Sequence, residues 1–528
     1  MSEPVVTVKQ GQIKGHIRQT FDGENFYEFL GIPYAKPPIG SLRFKAPQPP
    51  ECWTGVRDGT KEGNFAYCLD YFSGKICGSE DCLFLNVFIK QLPQSGCTLK
   101  PVMVYIHGGG FIGGSSALSL TGPKLILNED VVLVTLNYRL GALGFLCIDD
   151  TSLDVPGNAG LKDQTMALRW VKENISYFNG DPNNVTIFGV SAGGAAVQFQ
   201  ILSPSAKGLF HKAIMQSGSA LNPWAWGQKN SVELANLLKP GIKTEKEALE
   251  ILVNAPVADL YSASIKITDN LLDSSKRRPF GPVVEKPNPT AFLTDNPIDI
   301  LTSGSFSQVP LIQGVAANEG LIYEFLKNTT KIDPNEIPDY GISWQLSLKK
   351  NSQEYENIKN KIMEHYFKNG LTSDAIYEYL GDTMFIIGKT ESLKLSVQHS
   401  LKPVYNYVLS LMPESTMKFR KLFKVPDSST GAHHGAELTL LFDTQIIQLT
   451  DECIQASKKF VKMWSNFAKN GIPSTDDIKW DPVTNPEELV YLDISENSQM
   501  KKNPFSRNVQ FWNEVLRTTP YDKASFNS

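Results

Sequence analysis

The stretch Val185-Thr-Ile-Phe-Gly189-Val-Ser191-Ala-Gly193-Gly-Ala-Ala-Val197 restricts the possible folds of this chain more than any other. A short β-branched run enters it and small, helix-compatible residues leave it, the pattern of a strand that turns sharply into a helix. Such a turn strains the backbone of its central residue and crowds the neighbours, so the flanking positions must be small. Gly189 and Gly193 meet that demand. Ser191, at the apex, is the first candidate for a reactive hydroxyl. A solvated serine in an ordinary tight turn would show the same five residues, so the assignment depends on what surrounds them.

The surroundings favour a buried parallel sheet. Pro101-Val-Met-Val-Tyr-Ile106 and Val131-Val-Leu-Val-Thr-Leu136 are continuous apolar runs of strand length, suited to strands covered on both faces. Between them stands His107-Gly-Gly-Gly110-Phe111. Three glycines after a buried strand leave backbone N–H groups unobstructed, as a donor pair for a developing oxyanion requires. A phosphate-binding loop would need Gly-Lys-Ser/Thr next, and Phe-Ile-Gly-Gly-Ser follows instead. His107, at the strand exit, reads as a residue that orients this loop. Gly160-Leu-Lys-Asp163-Gln opens an amphipathic helix with Ala167, Trp170, Val171, Ile175 and Phe178 on one face, ending at Asn179-Gly180. Asn184-Val-Thr-Ile-Phe188 then leads into the sharp turn and completes a strand, helix, strand unit.

Composition narrows the function classes. The 528 residues are 41% hydrophobic and 20% charged, with a formal net charge of -4. Neither a nucleic-acid partner nor a polybasic membrane surface is expected. No apolar run approaches the ~18 residues that span a bilayer, so no membrane anchor is expected, and the N-terminal residues lack the basic and apolar segments of a leader. The expectation is a cytoplasmic protein. Secretion after removal of a leader is the alternative, kept open by the sequons at Asn174, Asn184 and Asn328. Seven cysteines at 52, 68, 77, 82, 97, 147 and 453 show no metal-ligand spacing. No metal or cofactor is expected, and one small loop could be closed by Cys68 or Cys77 with Cys82.

Residues 220–300 change character, with Trp224 and Trp226 followed by helical stretches and a proline-rich connection, and residues 325–400 are again helical and charged. Both read as helical insertions near the site. Between them, Pro310-Leu-Ile-Gln-Gly314-Val-Ala-Ala-Asn-Glu319 restores the strand pattern and places a carboxylate at a strand exit. A base that follows the acid in the chain must be His365, His399, His433 or His434. The first two lie in helical stretches; the pair at 433 and 434 lies in a glycine-bounded loop after a late strand, which suits a base better. Histidine would take the Ser191 proton during attack on an ester carbonyl, with Glu319 holding the imidazole and the glycine-loop amides receiving the oxyanion.

Gly31-Ile-Pro-Tyr-Ala, Ser79-Glu-Asp-Cys-Leu, His107-Gly-Gly-Gly-Phe, Asn137-Tyr-Arg-Leu-Gly, Pro156-Gly-Asn, Leu161-Lys-Asp-Gln, the turn at Ser191 and His434-Gly-Ala-Glu occur in one order. Together they resemble the type-B carboxylesterases, most closely the insect α-esterases. The resemblance runs from about residue 5 to about residue 515. It implies an α/β class chain with the α/β-hydrolase fold: one domain over residues 1–528, a large mostly parallel sheet, flanking helices and the two insertions. It places the triad on Ser191, Glu319 and His434, choosing His434 over His433. It places the oxyanion donors on Gly109, Gly110 and Ala192 and the acyl-pocket tryptophan on Trp224, which would favour short acyl groups. Phe111 and Val190 are expected in the pocket as well. Arg43 with Glu80 and Arg139 with Asp163 match structural ion pairs of the family.

Two positions depart from it. The family usually carries Glu or Gln before the nucleophile, where Val190 stands here, and this implies slower release of the acyl or phosphoryl enzyme. The segment from Cys68 to Cys82 lacks tryptophan, so a quaternary ammonium would lose its main cation-π partner and a cholinesterase is disfavoured. The expected function is hydrolysis of small to medium uncharged carboxylic esters, xenobiotic or lipid-like, with organophosphates as covalent inhibitors and a role in detoxification. A juvenile hormone esterase and a slow, ligand-sequestering relative are the alternatives.

Overall fold

The β-branched and aromatic runs become one eleven-stranded sheet. In chain order its strands are β1 (His16–Gln19), β2 (Asn25–Pro33), β3 (Phe84–Ile89), β4 (Lys100–Ile106), β5 (Val132–Leu136), β6 (Gly180–Val190), β7 (Lys212–Gln216), β8 (Leu311–Ala316), β9 (Val404–Leu409), β10 (Val490–Ile494) and β11 (Gln499–Lys502). The structure, a computed structural model, describes residues 3–94, 96–267, 270–328 and 332–527.

The spatial order is β11-β10-β9-β8-β7-β6-β4-β5-β3-β2-β1. From β10 to β5 neighbouring strands are parallel, and the pairs at both edges are antiparallel. The strand order reverses at β4, which has β5 on one side and β6 on the other. Crevices for ligands in open α/β sheets form outside the carboxyl ends of strands at such a switch point. Here the glycine loop leaves β4 and the sharp turn leaves β6, with Gly189 opposite Ile106 in the register.

Alternation along each strand divides the core between the two faces. Val102, Val104 and Ile106 enter one apolar cluster while Met103 and Tyr105 enter the other. Helix α1 (Ala159–Asn174) covers the sheet and continues as a 3-10 turn over Ile175–Phe178, ending at left-handed Asn179. Strand β6 therefore begins at Gly180, five residues before the apolar run at Val185 that announces it. Helix α2 (Ala192–Leu202) is buried along its whole length, which is why its sequence is apolar and small on every side. Residues 220–300 and 325–400 both contain helices. Helix α3 (Glu245–Asn254) lies in the first stretch, and helices over Gln353–Tyr366, Ser373–Gly381 and Ile387–His399 lie in the second.

A buried ion pair and a partly buried one tie these parts together. Arg139 donates from Nε and Nη2 to the two carboxylate oxygens of Asp163 at 2.8 and 2.7 Å, fastening the loop after β5 to α1. Arg43 forms a bidentate pair with Glu80 at 2.6 Å through each nitrogen. Its Nη1 also donates to the carbonyls of Leu252, Val253 and Ala255, so the same cation satisfies the end of α3. Removing one partner of the fully buried Arg139–Asp163 pair costs about 3–5 kcal/mol, because the other charge is left buried. The backbone amide of the neighbouring Asp81 donates to Ser79 Oγ at 3.2 Å.

The loop that Cys68 or Cys77 could close with Cys82 is open, and all three thiols are free. Residues 68–77 fold back on themselves as a hairpin with Cys68 opposite Cys77, while Cys82 packs into the core.

Candidate active site

Ser191 stands where β6 turns into α2, with φ 62° and ψ -125°. A backbone held there costs about 1–3 kcal/mol, so the surroundings must enforce it. The Ser191 amide donates to Gln216 O at 2.8 Å, and its carbonyl accepts the first helical bond from Ala195 N at 3.0 Å. The turn presses on the neighbouring strand so closely that a Cβ at Gly193 would lie 2.1 Å from Ile106 O. Glycine at 193 is a steric requirement.

Glu319 follows the exit of β8. Its Oε1 accepts the Ala316 amide at 2.7 Å and the Ser217 hydroxyl at 2.6 Å, and its Oε2 accepts His434 Nδ1–H at 2.6 Å. The carboxylate is 1% exposed. The loops carrying the two residues are fastened by the Asn318 amide, which donates to Ala432 O at 2.9 Å. A carboxylate on Nδ1 keeps the proton there and leaves the Nε2 lone pair free. Nε2 meets no hydrogen-bond partner among the described residues, and His434 shares a cavity wall with Ser191. The ring lies against Phe385, centroids 4.3 Å apart.

The glycine loop faces the same cavity. Gly109 and Gly110 have φ of 110° and 63°. A Cβ at Gly109 would lie 2.2 Å from Gly113 O. Among the described residues, the amides of Gly109, Gly110 and Ala192 donate to no internal acceptor. Ala192 opens α2, where N–H groups lack intrahelical partners. Three unspent amides therefore lie at the exits of β4 and β6. His107 orients the loop: its Nδ1–H donates to Gly108 O at 2.8 Å and its ring stacks on Tyr138 at 4.4 Å. Burial pushes its pKa down to about 4, so it is uncharged at neutral pH.

Phe111 and Trp224, expected on the pocket wall, do not line this cavity. Phe111 has a positive φ of 62°, and its ring packs between Phe145 and Phe199 at 5.3 and 6.5 Å. Trp224 donates its indole N–H to Met384 O at 2.6 Å and leans on Phe385 at 5.7 Å, one ring behind His434. Met384 and Phe385 belong to a π-helical turn, Asp382–Ile386, and Phe385 O accepts from Asn222 Nδ2 at 2.9 Å. The wider turn frees carbonyls for these side chains and presents Phe385 to the histidine.

A second carboxyl lies under the first. Glu437 is fully buried, accepts the Tyr407 hydroxyl at 2.8 Å and lies 3.4 Å from Ser217 Oγ. Burial, and then the neighbouring Glu319, push its pKa up to about 7. Glu437 closes the His434-Gly-Ala-Glu motif, which marks its position in the sequence and not its partners. Ser217, which bridges the two carboxyls, gave no signal beyond its place after a strand.

The cavity itself is about 190 Å³ and nearly all carbon, with Phe72, Phe325, Phe419 and Phe423 among its walls. Val190 contributes an isopropyl group beside Ser191 and is 3% exposed. No cluster of histidine, cysteine and carboxylate side chains suited to a metal occurs among the described residues, nor is any described helix long and apolar enough to cross a membrane.

Comparison with known proteins gives the family. The model of the carboxylesterase family matches residues 2–512. Esterase FE4 of Myzus persicae is 35% identical over 92% of this chain and 88% of its own length. Juvenile hormone esterase of Tribolium castaneum is 33% identical over 94% of this chain and 88% of its own. The crystal structure of juvenile hormone esterase from Manduca sexta, with OTFP covalently attached, superposes with a TM-score of 0.88 at 28% identity, covering 98% of this chain and 100% of that one. The chain belongs to the carboxylesterase family: it is a carboxylic ester hydrolase with the α/β-hydrolase fold.

Proposed function

We propose that Ser191, Glu319 and His434 are the catalytic triad of a serine carboxylesterase acting on small to medium uncharged esters. The observation that carries this is the 2.6 Å contact between His434 Nδ1 and Glu319, which leaves Nε2 free beside the cavity that Ser191 lines. Nε2 takes the Ser191 proton as Oγ attacks the ester carbonyl. The carbonyl oxygen becomes an oxyanion held by the amides of Gly109, Gly110 and Ala192. As the tetrahedral intermediate collapses, the C–O bond to the alcohol breaks and the imidazolium returns the proton to the leaving alkoxide. Water, deprotonated by Nε2, then attacks the acyl-enzyme and releases the acid and Ser191.

The carbon-lined cavity supports uncharged substrates, xenobiotic or lipid-like, because a charged group would lose its hydration there without a partner. Organophosphates fit the same chemistry as inhibitors, since Ser191 Oγ displaces their leaving group and the phosphoryl enzyme stays. We assign the whole chain to one α/β-hydrolase domain carrying the two helical insertions, and place it in the cytoplasm. Two of its three sequons support that placement. Asn174 is fully buried with its side chain bonded to Trp170 O and Lys9 N, and Asn184 is bonded to Lys212 and Lys469. A substrate panel that varies acyl and alcohol length separately tests the function. Turnover confined to charged esters, or none, would refute it.

Juvenile hormone ester hydrolysis is a second reading, favoured by the TM-score of 0.88 to the Manduca sexta enzyme. Comparing kcat/KM for juvenile hormone with that for short naphthyl esters decides between them. A stoichiometric burst with little turnover would instead identify a ligand-sequestering role.

A further inference from the structure

We propose that His433 is a specificity-determining residue that hydrogen-bonds a second, uncharged oxygen (a ketone, ether or hydroxyl) carried by the substrate ester. The inference rests on Ser191 and His434 being the reacting pair. Three histidines line the cavity, and two are committed: His107 Nδ1 to Gly108 O, and His434 Nδ1 to Glu319. His433 is 3% exposed, and neither its Nδ1 nor its Nε2 meets a hydrogen-bond partner among the described residues. Its nearest rings are Phe419 and Phe423, with centroids 5.9 and 6.0 Å away, and neither offers a donor or a conventional acceptor.

An unpaired buried donor or acceptor is expensive, and leucine or phenylalanine would fill the same space without that cost. Burial, with His434 and Arg420 adding to it, pushes the His433 pKa down to about 3. The ring is therefore uncharged in the working range and offers one donor and one acceptor. Arg420 is itself engaged with the carbonyls of Pro426 and Ser429.

Placement relative to the chemistry is fixed by the backbone. His433 is bridged to Asn318, and its carbonyl accepts the Ala436 amide at 3.0 Å. Adjacent Cα atoms are about 3.8 Å apart, so the ring stands one residue from the base. A group it recognises must lie a few bonds from the scissile carbonyl. Because the remaining walls are mostly carbon, one oxygen of the substrate finds a partner there and its alkyl counterpart does not.

The test uses acetate esters of alkyl alcohols paired with equal-length oxoalkyl alcohols, the ketone moved along the chain, and the mirrored series with the ketone on the acyl side. The readout is the ratio of kcat/KM within each pair, so a general loss of activity cancels. Wild type should favour one ketone position, and His433→Phe should lower that ratio about fivefold, the worth of one net hydrogen bond of about 1 kcal/mol. His433→Asn, smaller but still a donor and acceptor, should fall between the two. Equal ratios in wild type and both variants, or no favoured ketone position in wild type, would overturn the proposal. Titrating each protein with diethyl 4-nitrophenyl phosphate separates the two levels: labelled Ser191 with flat ratios refutes the role of His433, whereas unlabelled wild type refutes the Ser191 assignment.

Discussion

Glu319→Gln should lower kcat by about 10⁴-fold, and the structure explains why glutamine is a poor substitute despite its shape. Oε1 of Glu319 accepts from two donors, the Ala316 amide at 2.7 Å and the Ser217 hydroxyl at 2.6 Å. The Ser217 hydroxyl can rotate, but a backbone N–H cannot become an acceptor. A glutamine at 319 must therefore point its oxygen toward Ala316 and its NH₂ toward His434 Nδ1. The imidazole is then forced to accept at Nδ1 and carry its proton on Nε2, where it cannot take the proton of Ser191. The same amide replacement of the acid in a serine protease triad costs about 10⁴ in kcat by imposing the wrong tautomer, equivalent to about 5.4 kcal/mol of barrier. Ser217→Ala supplies the contrast. It removes one donor while the Ala316 amide still holds Oε1, so the loss should stay within about a hundredfold, the scale of one hydrogen bond to a charged group. The assay is kcat for 4-nitrophenyl acetate at pH 7.5 (about the neutral range in which histidine must act as base), normalised to titratable serine, with circular dichroism confirming the fold. A Glu319→Gln enzyme within tenfold of wild type, or Ser217→Ala losing as much as Glu319→Gln, would refute the tautomer argument.

Three further outcomes follow from other parts of the site. Val190→Glu should speed deacylation and reactivation of the phosphoryl enzyme, because the isopropyl group beside Ser191 would be replaced by one that orders water; equal single-turnover deacylation rates in the two proteins would contradict this. Gly193→Ala should abolish activity and lower the melting temperature, since its Cβ would fall 2.1 Å from Ile106 O and displace the Ser191 turn; an active, equally stable variant would show that the turn is not so confined. Glu437 has a pKa raised to about 7, so its contribution to stability is present below the unfolded value near 4.5 and is lost as pH rises through about 7. Glu437→Gln carries no such proton, so its stability advantage over wild type should grow between pH 5 and 8, measured by urea unfolding; a pH-independent difference would place the proton elsewhere.

Much of the architecture is legible because it is periodic or sterically unforgiving. Strands β4 and β5 are continuous apolar runs because both faces are covered, and Gly189, Gly193 and the three glycines after His107 stand where close backbone approach or positive φ allows little else. The α4 helix (Asp451–Asn470) likewise displays Phe460, Met463, Trp464 and Phe467 on the buried face that its spacing announces. Side-chain direction at irregular backbone is another matter. Phe111 ends the glycine loop, yet a left-handed φ turns its ring into the core, and Trp224 lies behind Phe385 because a π-helical turn far along the chain supplies the acceptor for its indole. Glu437, Ser217 and Tyr407 meet only when β7, β8 and β9 are neighbours, and no local pattern records such a meeting. The hairpin over residues 68–77 similarly sets Cys68 opposite Cys77 through strand register, a relation that cysteine spacing alone does not specify.

The central claim is that Ser191 is the nucleophile. The most direct measurement is peptide mass spectrometry of the intact enzyme after treatment with diethyl 4-nitrophenyl phosphate, run beside residual esterase activity. The account predicts a diethylphosphoryl adduct on Ser191 that rises in proportion to lost activity. An adduct on another residue, or full inactivation with Ser191 unmodified, would contradict it.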